Sequence, residues 1–119
     1  DQIMQFISLF TSANPNPGPP DAEHMAEMGA LMERMSKAGI LIATGGIGRS
    51  EEGFKLTLKA GKYSTSEGPF SDVFAKASGW ALMEAPSREA LIGHVKEFLK
   101  VAGDGECEIM PIFSPPPSP

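Results

Sequence analysis

The sequence predicts an α+β domain, and three observations carry that expectation. Runs with the two-residue period of a strand and runs with the 3.6-residue period of a helix alternate along the chain. Proline- and glycine-rich breaks separate them. The resulting order is strand, helix, strand, two hairpin strands, strand, helix, strand, which is that of two split βαβ units. With 119 residues, 41% of them hydrophobic, the chain is long enough for one core and too short for two.

The first strand is expected over Ile3–Phe10, where Met4, Phe6 and Phe10 share one parity and Ile3, Ile7 and Leu9 the other, so that both of its faces are apolar. Four prolines and a glycine between Thr11 and Pro20 then forbid regular pairing and mark a loop. Asp21 is placed to cap a helix whose apolar stripe is Met25, Met28, Leu31, Met32 and Met35, and Gly39 is its expected left-handed stop. Ile40–Ala43 reads as a short buried strand closed by Gly45 and Gly46. In Phe54–Ala60 the apolar Phe54, Leu56 and Leu58 alternate with Lys55, Thr57 and Lys59, as in a strand that buries one face. Ala60-Gly61-Lys62 turns the chain into a return arm over Lys62–Ser66. A second turn follows at Glu67-Gly68-Pro69-Phe70.

Gly79–Ala85 is again apolar on both parities, and burial of Trp80 is expected there. Pro86 ends it, and Ser87 caps a second helix that buries Leu91, Val95, Phe98 and Ala102. Gly103 stops that helix, and Glu106–Phe113 forms a last strand whose Pro111 suits an edge or a bulge. One domain over residues 1–113 and a proline-rich tail over 114–119 are expected. The order is that of a ferredoxin-like βαββαβ fold with an extra hairpin arm. Two helices cover one face of such a sheet only. The two-sided strands would leave a large apolar patch on the other, so a twin subunit is expected to cover it, giving a homodimer built as an α+β barrel.

Composition excludes several functions. A formal charge of -5 argues against nucleic acid, whose phosphates need clustered cations. No apolar run approaches the ~20 residues of a membrane span. One cysteine, Cys107, can form neither an intrachain disulfide nor a cysteine-rich zinc site, and two histidines without HxxxH spacing support no metal site or other cofactor. A cytoplasmic protein is expected. The chain starts at Asp1 rather than Met, as a processed end or an artificial remnant would, and residues 1 and 2 carry no weight.

The path from the Ala60-Gly61-Lys62 turn through Ser66-Glu67-Gly68-Pro69-Phe70, then Ser78-Gly79-Trp80-Ala81-Leu82, Pro86-Ser87, the second helix and the closing Ile109–Phe113, resembles the YCII-related proteins. It is most similar to the branch named for an Asp-Gly-Pro-Phe turn, and the resemblance runs from Met4 to Phe113. It implies a dimeric α+β barrel in a family of small, largely uncharacterised bacterial proteins. Some of these lie beside or fused to alternative sigma factors, and a few act as lyases or dehalogenases on small ring lactones. The chain departs from the pattern in having Glu67 for the aspartate, and Val73-Phe74-Ala75-Lys76 where relatives commonly carry a Lys-Glu pair. The enzymatic relatives pair a first-helix histidine with an aspartate. His24 lies on that helix, although their histidine aligns nearer Met28, one turn on.

His24 stands in a first helical turn and is the expected base or hydrogen-bond donor, unless it merely faces water. Glu67 or Asp72 is the expected carboxylate partner, while Arg49, Met28, Phe70 and Trp80 are the expected ligand contacts. The Glu67 turn reads first as routing, with Phe70 plugging the core, and only second as a pocket rim. Ala43–Arg49 is too poor a match for a dinucleotide loop, because a strand rather than a helix follows it. Two functions compete, with a purely structural dimer as a third reading. One is binding of a small, partly apolar ligand with lyase-like acid–base chemistry. The other is a regulatory module that docks on a transcription factor.

Overall fold

The computed structural model of the chain describes residues 3–14, 21–68 and 76–113. In chain order the elements are β1 (Met4–Ser12), α1 (Ala22–Lys37), β2 (Leu41–Gly46), a single 3-10 turn at Ser50–Glu52, β3 (Phe54–Lys59), β4 (Lys62–Glu67), β5 (Gly79–Ala85), α2 (Arg88–Ala102) and β6 (Gly105–Ile112). The protein is α+β, with a four-stranded antiparallel sheet in the order β2-β5-β1-β6 and two helices. That order is compatible with a ferredoxin-like fold. β3 and β4 pair only with each other, as a separate hairpin.

Local chemistry sets the ends. Asp21 Oδ1 accepts the N–H of His24 at 2.7 Å and so caps α1. The other end closes on Gly39, at φ +77°, whose N–H bonds to Ser36 while that of Ile40 bonds to Met35. Ser87 Oγ accepts the N–H of Ala90 at the start of α2, and Gly103 ends it at φ +98°. The hairpin turns through Ala60 and Gly61, both at positive φ, which is the pairing a two-residue hairpin loop needs. Pro111 lies on β6, an edge strand, where its missing N–H costs no second ladder.

Strand register sorts the residues into two faces. Phe6 faces Met83 and Ser8 faces Ala81 across β1 and β5, and these rows meet the helices. There Phe6, Leu31, Met35, Leu41, Met83, Ala85, Leu91 and Val95 form one buried core. Phe10 adds an edge-on contact with Phe98, with ring centroids 5.2 Å apart. The opposite rows are Ile7 with Leu82, Leu9 with Trp80, and Ile7 with Met110, and no helix covers them. Gln5 Nε2 donates to Glu84 Oε1 at 2.9 Å on the same side.

Three expectations are corrected. β2 does not close at Gly45 and Gly46 but runs through them. The reason is space: a Cβ at Gly45 would come within 2.8 Å of Trp80 Nε1, so glycine admits the indole ring beside the strand. Trp80 is half-buried rather than buried, because its pairing with Leu9 puts it on the uncovered face. β3 buries neither face, since its hairpin partners only itself, and Phe54, Leu56 and Leu58 stand about 60–67% exposed. Phe70, Asp72 and the 114–119 tail lie outside the described residues.

Candidate functional site

Residues of the two helices and the sheet line an open-sided cavity of about 460 Å³, within the range of small-molecule sites. α1 contributes His24, Met28, Met32 and Met35, whose spacings of four, four and three keep them on one helical face. α2 contributes Val95, Phe98 and Ala102, again at spacings of three and four. Sheet residues close the other side, with Ser8 and Phe10 from β1, Leu41 and Thr44 from β2, Met83 from β5 and Cys107 from β6. At the corner where β2 meets β5, Gly45 and Gly79 leave the sheet without side-chain thickness, and Trp80 borders the cavity there.

The wall is apolar with a few polar atoms. Four methionine thioethers and three aromatic residues provide soft, adaptable surface. Thr44 Oγ1 donates to the Trp80 carbonyl oxygen at 2.7 Å, so its proton is engaged and its oxygen can only accept. Burial pushes the Cys107 thiol up from its ordinary value, while a hydrogen bond with the Ser8 side chain pulls the other way. The thiol is therefore neutral at physiological pH and a poor nucleophile. His24 is half-buried and is the one other ionisable group in the wall among the described residues. No carboxylate, lysine or arginine of the described residues lines the cavity.

The structure thus brings His24 and Met28 together on the helical wall, while Trp80 borders the cavity at its β2–β5 corner from the sheet's uncovered face. Two other expected site residues lie apart from the cavity wall. Glu67 closes β4 opposite Phe54 and is exposed, because the hairpin makes no ladder with the four-stranded sheet. Arg49 pairs with Glu51 at 2.6 Å in solvent, and its hydrogen bond and charge hold the Glu51 carboxyl below the usual carboxylate range. Gly68 has a routing role: its N–H bonds to the Gly53 carbonyl oxygen, and a Cβ on it would overlap the Ser50 carbonyl. Ser8, Phe10, Thr44 and Cys107 escaped the sequence reading as site residues. The parity of Ser8 with Phe6 and Phe10 was the available signal, since a serine in the inward row of a strand marks a polar point in an apolar wall.

The described residues hold no group of three histidine, cysteine or acidic side chains suited to a metal ion, and no helix long and apolar enough to cross a membrane. Fold and cavity define a small α+β protein with an apolar, ligand-sized chamber between its helices and its sheet. No family model matches the chain, and no curated protein matches it significantly.

Proposed function

We propose that the protein is a YCII-like binding protein that takes a small, neutral and largely apolar molecule into the helix–sheet cavity and works as a homodimer, with a second copy covering the open sheet face to form an α+β barrel. The methionine-lined cavity carries this reading. A charged ligand would lose its hydration with no carboxylate, lysine or arginine of the described wall to meet it. A molecule with an aromatic or aliphatic body and one hydrogen-bonding group satisfies the chamber, with His24 as the partner for that group. Lyase-like proton transfer needs a carboxylate to orient the imidazole; among the described residues none lines the cavity and Glu67 stands on the exposed hairpin, so the described wall supports binding rather than turnover.

A neutral naphthylamine dye, fluorescent only in apolar surroundings, tests the reading. Saturable binding of about one dye per chain is expected, and Met32→Trp, which fills the chamber, is expected to weaken it at least tenfold. Absence of binding, or equal binding by a folded Met32→Trp chain, overturns it and turns attention to the regulatory reading with a transcription-factor partner.

A further inference from the structure

The β3–β4 hairpin is the least explained part of the molecule. Its two strands carry Phe54, Leu56, Leu58 and Tyr63 on one face at 67, 60, 59 and 73% exposure. A two-stranded hairpin is marginal in water by itself, so an arm that exposes such a row calls for a partner surface. The arm also differs from the rest of the chain in charge: Lys55, Lys59 and Lys62, on the face opposite the apolar row, outnumber Glu67 on a chain whose net charge is -5.

The sheet offers one surface of matching chemistry. On the uncovered side β6 presents Glu106, Glu108, Met110 and Ile112 in one row, with Met110 64% and the following Phe113 89% exposed. That strand is an outer one, at the opposite edge from β2, out of which the arm grows. A two-fold axis that runs along the strands, between two facing sheets, reverses the strand order of one copy relative to the other. It therefore sets β2 and its arm opposite the partner's β6 edge, and the same contact is made twice. Area argues the same way. Four strands span a flat footprint of roughly 19 by 24 Å, about 450 Å², well short of the ~800 Å² per partner of a standard interface.

We propose that the arm of each copy docks on the other's β6 edge, laying Leu56, Leu58 and Tyr63 over the partner's Met110 and the partner's Ile112, with the acidic pair on that edge drawing in an arm whose lysines stay solvated on its outer face. The inference rests on the dimer reading above and names the surface that completes it.

Cross-linking between two different chains tests it. In a Cys107→Ser background, one chain carries Leu58→Cys and the other Met110→Cys, so that each holds a single thiol and no bond can form within a chain. Both sites are exposed, and unchanged circular dichroism verifies folding. Mild oxidation of the mixture is expected to give at least fivefold more mixed disulfide than the same mixture with Thr57→Cys, whose side chain stands on the hairpin's other face. Yields equal to that control in a chain that scatters light as a dimer overturn the arm contact and leave the dimer standing. Monomeric scattering at every concentration overturns both.

Discussion

Cys107 has a place in β6 that fixes its chemistry. Register pairs it with Phe10, on the helix side of the sheet, where it borders the cavity beside Ser8. Burial raises its pKa, and the sign of the consequence follows. Above the thiol's ordinary value of 9.0 the unfolded chain loses its proton while the folded chain keeps it, so stability falls as pH rises from about 9 toward the folded value. Below pH 9 the group has no effect. Thermal unfolding of the wild type and of Cys107→Ser between pH 7 and 10.5 is expected to show a steeper alkaline loss in the wild type. Parallel curves would mean that the thiol is solvated in the folded state. An inert, packed cysteine is legible in the sequence, because Cys107 stands on a strand between Glu106 and Glu108, whose charges oppose a thiolate. The cavity beside it was not legible, because a strand's parity says which side chains share a face and nothing about how far the opposing helix stands off.

The elements themselves were legible where one local signal dominated. Both helices start at the residues after Asp21 and Ser87, since a capping oxygen satisfies orphan N–H groups whatever the tertiary context. β5 begins and ends where its apolar run does. β2 was read too short because glycines ordinarily end strands, and the indole that excuses Gly45 lies 35 residues away in the chain. The hairpin was given a buried face on the strength of alternation, yet alternation records only that a face is apolar and not what covers it. The joint between hairpin and sheet is tighter than either. Gly68 bonds to Gly53, and its bare Cα lies against the Ser50 carbonyl, so Gly68→Ala must push the 3-10 turn aside. The expected cost is ~1 to 3 kcal/mol, as for other insertions into a packed site. Denaturant unfolding measures it, and a chain as stable as wild type would mean that the turn yields freely.

At the scale of the whole molecule, one face of the sheet holds the core and the cavity, and no helix covers the other. Ile7, Leu9, Trp80 and Leu82 form two adjacent cross-strand pairs there, half-buried by one another, with Met110 beside them. A charge at the centre of this patch separates the two roles of the sheet. Leu82 pairs with Ile7 and points away from the core row of Met83, so Leu82→Glu leaves the helix packing and the cavity wall intact. In a homodimer closed over this face, two such carboxylates meet across the two-fold axis with no countercharge, which costs several kcal/mol of association. Light scattering is expected to find the wild type dimeric at micromolar concentration and Leu82→Glu monomeric, with the dye still bound in the cavity. Trp80, the chain's one tryptophan, reports the same event: its emission shifts to longer wavelength as the patch meets water. A Leu82→Glu chain that remains dimeric would move the interface off the sheet, and the helices' outer surfaces or the hairpin alone would then have to hold the two copies together.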